Sequence, residues 1–229
     1  MTCFTHHALQ THDPARAHAF YRDLLGWTID HNGCCTSDGR EVAAIARSKA
    51  PPHVPSYWLP FLGVDDVDAS TAQARALGAQ VRRHDAGREA VIVDPQGATV
   101  GLRTGGEAAK AFAWDELLAA DPAAAASFYA ALGALAVETI DLGATGEYRI
   151  LRHGAGRVAG VMKHPANLHP HWQPYLLVDD VDAITARALE LGATPYFAPS
   201  DQPGFGRWSA IDDPGGAGVC FLRPEYSAR

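Results

Sequence analysis

Hydrophobic and polar positions along the chain change period in a regular way. Phe4 to Thr11 alternates weakly and runs into Asp13-Pro14, a helix cap followed by proline at the first helical position. Ala17, Phe20, Tyr21 and Leu24 then repeat at helical spacing until Gly26 stops the pattern. Short strand signals follow at Thr28 to His31, Cys34 to Ser37 and Glu41 to Arg47, and the proline-rich KAPPHVP stretch reads as a connector. Trp58 to Val64 reads as a strand, Asp65-Asp66 opens a helix through Leu77, and Gly78 caps it. Val81 to His84, Glu89 to Val93 and Thr99 to Arg103 supply three more strands, the last two joined by a DPQG turn.

The pattern then starts again. DPARAHAFYRDLLGW (from Asp13) returns as DPAAAASFYAALGAL (from Asp121), and YWLPFLGVDDVDASTAQARALGAQV (from Tyr57) as HWQPYLLVDDVDAITARALELGATP (from His171). GREAVIVDPQGATVGLR (from Gly87) returns as GRWSAIDDPGGAGVCFLR (from Gly206). Order is kept and spacing drifts by a few residues, which marks an internal duplication joined within Thr104 to Ala111. Each half reads as βαβββ twice, so the expectation is an α+β fold of four βαβββ units with mixed sheets. The expected domain limits are residues 1–106 and 107–229.

Composition narrows the function. The 229 residues are 47% hydrophobic and suffice for one large core or two domains of about 100 residues each. Twenty-six acidic against 19 basic residues and the lack of a basic run argue against nucleic acid or an anionic membrane as partner. The apolar stretches are short for a bilayer span, no signal-peptide core follows Met1, and four cysteines are not a disulfide framework. A cytoplasmic protein, monomeric or homodimeric, is expected.

The D-P…FY..L.GW run (Asp13, Pro14, Phe20, Tyr21, Leu25, Gly26, Trp27), the V-D-D-V-D-A helix start and the D-P-x-G-A turn before each half's last strand resemble the vicinal oxygen chelate superfamily. That superfamily includes glyoxalase I, bleomycin-resistance proteins and extradiol dioxygenases, and the likeness is to its two-half, glyoxalase-like members. The resemblance implies sheets curled into open cups with helices outside. In metal-dependent members a divalent ion in the cup takes ligands from a half's first strand, from the strand before its second helix and, as a Glu, from its last strand. Counted onto this chain, those positions are His6, Leu59 and Gly101 in the first half and Trp114, Gln173 and Cys220 in the second. Leu, Gly and Trp do not ligate metals, so the chelate site reads as degenerate, with a residual divalent metal as the alternative.

Strand alternation from His6 turns Ala8, Gln10, Leu59, Phe61, Gly63, Thr99, Gly101 and Arg103 into the first cup. It turns Trp114, Glu116, Leu118, Gln173, Tyr175, Leu177 and Cys220 into the second. His6 and Glu116 are the candidate acid/base groups; Phe61, Arg103, Trp114, Gln173, Tyr175 and Cys220 are the candidate ligand-binding residues. Cys220 also reads as a small buried hydrophobe. His164, His169 and His171 fall in a proline-rich loop, Cys34-Cys35 reads as a reduced thiol pair, and Asp65-Asp66 and Asp179-Asp180 as helix caps. Two function classes follow: a small-molecule-binding protein that has lost the metal, or an enzyme of the same superfamily (a lyase, isomerase or dioxygenase). The enzyme would act on a small aromatic or carbonyl compound, by acid/base chemistry or a residual metal.

Overall fold

In the computed structural model, residues 2–107, 109–143, 146–164 and 169–225 are described. Among the described residues, twenty elements follow one another as four βαβββ units. The first two units are β1 (Phe4–Thr11), α1 (Pro14–Leu25), β2 (Thr28–Ile29), β3 (Cys34–Ser37), β4 (Arg40–Arg47), then β5 (Tyr57–Val64), α2 (Val67–Ala76), β6 (Gln80–Asp85), β7 (Glu89–Val93), β8 (Thr99–Thr104). The third is β9 (Phe112–Ala119), α3 (Pro122–Gly133), β10 (Ala136–Asp141), β11 (Glu147–His153), β12 (Gly156–Lys163). The fourth is β13 (His171–Leu177), α4 (Val181–Glu190), β14 (Thr194–Gln202), β15 (Gly206–Asp212), β16 (Gly218–Pro224).

The helix ends follow local chemistry. Asp13, Asp66, Asp121 and Asp180 each cap a helix, their carboxylates accepting backbone N–H groups of the first turn. In each Asp-Asp pair only the second residue caps. α1 ends at Gly26 with φ 69°, a left-handed position that suits glycine, and α3 ends in the same conformation at Ala134. α2 and α4 have Leu77 and Leu191 as C-caps, so Gly78 (φ 96°), the expected cap, lies one residue beyond the observed one.

Two eight-stranded mixed sheets result, ordered β2-β3-β4-β1-β5-β8-β7-β6 and β10-β11-β12-β9-β13-β16-β15-β14. Each takes its strands from one half of the sequence. Parallel pairs such as β1 with β4 and β5 with β8 lie inside, and antiparallel pairs such as β6 with β7 lie towards the edges. β1 is an interior strand, so His6 does not sit at a sheet edge.

Packing divides the chain along different lines from the halves. One compact unit comprises Met1–His6, Leu59–Ala108 and Trp114–Gln173; the other comprises His7–Trp58, Ala109–Ala113 and Pro174–Arg229. The first unit's core gathers Leu62, Val64, Val100 and Leu102 with Leu117, Tyr129, Leu132, Val161 and Trp172. The second unit's core gathers Leu9, Phe20, Tyr21 and Trp58 with Leu176, Val181, Val219 and Phe221. Each core is therefore built from both halves.

The repeated motifs explain themselves here. In the second unit the Trp58 indole N–H donates to the Tyr21 hydroxyl (3.1 Å), which donates to Asp213 (3.0 Å); the other Asp213 oxygen accepts the Gly215 and Ala217 N–H groups. In the first unit Trp172 donates to Tyr129 (3.1 Å) and Tyr129 to Asp94 (3.0 Å), whose second oxygen accepts from Gln96, Gly97 and Ala98. In both relays the tyrosine and the aspartate come from opposite halves. Burial pushes both phenols well above their ordinary range, and it raises the Asp213 carboxyl against the backbone hydrogen bonds that oppose it. The D-P turns thus anchor the core.

Candidate active site

Core residues mark the helix-covered face of each sheet, and alternation puts the candidates on the opposite face. In β5, Trp58, Leu62 and Val64 enter the cores, so Leu59 and Phe61 face the other way. In β9, Leu117 and Ala119 enter the core and leave Trp114, Glu116 and Leu118 opposite.

On the first sheet, Phe61 settles what the face can hold. Phe61 pairs with Gly101 across β5 and β8, and its ring lies where a Gly101 side chain would go. A Cβ at Gly101 would collide with the ring, so the glycine is what admits it. His6 meets the same ring edge-to-face, with centroids 5.5 Å apart. Leu59 is buried beside this group and carries no donor, while Arg103 is exposed. One imidazole, one aliphatic side chain and a ring over the third position do not fit a divalent ion.

The second sheet holds a polar chain instead. The Trp114 indole N–H donates to the Tyr148 hydroxyl (3.0 Å), and Tyr148 donates to the Glu116 carboxylate (2.8 Å). Glu116, 7% exposed, is a buried acid rather than a solvent-facing one. It pairs with Gly160 of β12, where a Cβ would collide with the Tyr148 hydroxyl. Burial first, then the neighbouring Glu116 charge, push the Tyr148 phenol well above its ordinary range, so it stays protonated and able to donate. Gln173, on β13 next to β9 in the sheet, has a buried amide nitrogen with no hydrogen-bond partner among the described residues. An unpaired buried donor costs about 1–3 kcal/mol, which a ligand acceptor would recover.

Tyr175 and Cys220 face each other in register on β13 and β16. Tyr175 is edge-on to Phe205 (5.6 Å) and tilted to Trp208 (6.1 Å), and Trp208 stacks flat on the half-exposed Phe197 (4.4 Å, 6°). Cys220 is buried at 2% exposure. Trp114, Gln173 and Cys220 do not make a chelating set: the indole is a donor, and amide and thiol alone are too few. Among the described residues, no group of three or more His, Cys, Asp or Glu side chains is placed to hold an ion.

Sequence reasoning missed Tyr148, Gly160, Phe197, Phe205 and Trp208. Trp208 could have been found, since it alternates with Ala210, the register partner of Cys220. Tyr148 lies outside the repeated motifs and carried no signal. The four cysteines are free, and burial pushes Cys35 up to about 12, as expected for an inert thiol. His164 and His171 have rings 5.3 Å apart, while residues 165–168 of that proline-rich stretch lie outside the described residues.

The duplicated βαβββ architecture defines a glyoxalase-like protein. The glyoxalase-like domain family matches residues 6–102 and 111–222, and the chain belongs to that family, within the vicinal oxygen chelate superfamily. It is 36% identical over 241 residues to CFP32 of Mycobacterium bovis, whose name describes a candidate glyoxylase, covering 94% of this chain and 92% of that one. It is 32% identical over 255 residues, with the same coverage, to the anthracycline biosynthesis protein DnrV of Streptomyces peucetius. Among solved structures, a Mn(II)-bound glyoxalase from Novosphingobium aromaticivorans superposes with TM-score 0.67 at 18% identity, covering 98% of this chain and 84% of that one. An extradiol ring-cleaving dioxygenase from B. fuscum gives 0.72 at 15% identity, covering 98% and 72%. At those identities the two structures speak for the fold alone. No described helix is long and apolar enough to cross a membrane.

Proposed function

We propose that the chain is a small-molecule-binding member of this family whose ligand rests on the Trp114–Tyr148–Glu116 group and Gln173. The observation that carries this reading is the buried Gln173 amide nitrogen without a described partner, beside a strand that presents a hydrogen-bonded carboxylate. The ligand accepts a hydrogen bond from Gln173, offers a donor to Glu116 and lays an apolar face on Trp114, which suits a planar compound bearing carbonyl and hydroxyl groups. The naming of two relatives for anthracycline biosynthesis supports a ligand of that kind.

A second reading, an enzyme of the same superfamily, is favoured by one feature: Glu116 is buried and oriented by Tyr148, the arrangement of a positioned general base. The carried-over ligand positions supply no metal set, so the step would be a proton transfer at Glu116. The test is titration of Trp fluorescence with hydroxylated aromatic ketones, followed by recovery and analysis of the compound. Saturable one-to-one binding that weakens about tenfold in Gln173→Leu, with the compound unchanged, is the expected result. Conversion that is lost in Glu116→Gln establishes the enzyme reading. A stoichiometric metal ion bound through His6 overturns the degenerate-site reading.

A further inference from the structure

The two Trp–Tyr–Asp relays are copies, yet their surroundings differ, and one of the differences has a large consequence. In the first unit the turn after Asp94 carries Gln96, whose side-chain amide grips the cap residue of α3. Gln96 Nε2 donates to the Asp121 carbonyl, and Gln96 Oε1 accepts the Asp121 N–H, both at 2.7 Å. In the second unit the corresponding turn reads Asp213-Pro214-Gly215, and glycine stands where Gln96 stands in the copy. The cap residue of α1, Asp13, turns its N–H to the Thr11 hydroxyl instead (3.2 Å), and its carbonyl keeps only the helical Ala17 N–H among the described partners (3.1 Å).

Beside Gly215 lies a cavity of about 150 Å³ lined by Thr11, His12, Asp13, Arg16, Ser56 and Asp213 among others. This is well above the ~10–15 Å³ that one water requires. Its walls mix apolar groups such as Ala17, Val54 and Pro55 with a polar pair: the Ser56 hydroxyl donates to Thr11 Oγ1 (3.0 Å), and both residues are buried. In the other copy the corresponding positions are Pro170 and Ala119, so the hydroxyls belong to the open copy alone. Two acidic residues, Asp13 and Asp213, line the space against one guanidinium, Arg16, so it holds no excess of positive charge to draw an anion to the helix N-terminus.

We propose that this cavity binds a small molecule ending in a primary carboxamide, which takes the place that the Gln96 amide occupies in the duplicate. Its NH₂ donates to the Asp13 carbonyl, and its oxygen accepts from the Asp13 N–H or from a hydroxyl of the Thr11–Ser56 pair. The site is separate from the Glu116 group and does not depend on that group's role.

The test is a ¹H–¹⁵N titration of the full chain with propionamide and, as the isosteric anion, with propionate. Propionamide is expected to shift the backbone signals of Thr11, Asp13, Ser56 and Gly215 saturably, with propionate at least about tenfold weaker. Gly215→Gln is expected to abolish the shifts; its Cβ would come within 2.6 Å of Ser56 Oγ, so the Gly215→Gln/Ser56→Ala double variant relieves the contact. Gln96→Gly removes the internal amide from the other copy and is expected to create new propionamide-dependent shifts at Asp121. The proposal is overturned by absent or non-saturating propionamide shifts, by equal binding of propionate, or by shifts that persist in folded Gly215→Gln. If the Gly215 variants do not fold, Gln96→Gly decides alone: new shifts at Asp121 support the proposal and their absence overturns it.

Discussion

The outward faces of the two sheets solve one packing problem in opposite ways. Each has a glycine on an interior strand, Gly101 or Gly160, and each fills the space above it with an aromatic ring from a neighbouring strand. On the first sheet the ring is Phe61, which turns its edge to His6 and brings no polar atom. On the second it is Tyr148, whose hydroxyl joins an indole to a buried carboxylate. One oxygen atom separates a plug from a hydrogen-bond chain. The comparison teaches that two copies of one strand arrangement can be finished with different chemistry. The same volume can be closed with hydrocarbon or rebuilt around a fixed acid.

The largest blow to this contrast is expected from Phe61→Ala, which empties the first face and should cost about 3–5 kcal/mol in urea denaturation. A loss below 1 kcal/mol would mean the ring is not packed as a plug. Gly160→Ala is next, at about 1–3 kcal/mol, because the new methyl must displace the Tyr148 hydroxyl. It should also weaken binding at the Glu116 group, which Phe61→Ala should leave intact, and calorimetric titration of both variants reads that split. The smallest effect is at alkaline pH. Because the folded-state Tyr148 phenol is raised, its contribution is fully present below the ordinary tyrosine pKa and is lost as pH rises towards the raised value. Tyr148→Phe should therefore flatten the fall of stability above about pH 10, whereas Phe61→Ala should keep the wild-type slope.

The fold was legible because each level of the sequence agreed with the next. Asp-Pro caps, Gly stops and alternating strands recur twice in the same order, so four βαβββ units could be placed before any coordinate was known. Which copies pack together was not legible: Tyr21 could have met Asp94 or Asp213, and two identical motifs carry no information on the choice. The site was half legible. Alternation found Glu116 and Trp114 on one face of β9, but the residue that links them, Tyr148, comes from β11, a strand outside the repeated motifs. Its partner Gly160 looked like any strand glycine, since the need for it arises from a side chain on another strand. Phe197 lies on a strand whose register shifts twice against β15, and such irregularity defeats a period-two reading.

The crossed relays also set an order of assembly. The core of the first unit ends with Trp172, so every part of it exists before the last quarter of the chain has been made. The core of the second unit begins at Leu9 and ends at Phe221, and its relay closes across 192 residues between Tyr21 and Asp213. Helix α1 emerges first, yet its aromatic face must wait for the final strand. Such distant contacts fold slowly, because loop entropy is lost before the contacts that offset it can form. The segment in between can meanwhile settle, leaving the two ends of the chain to find each other last.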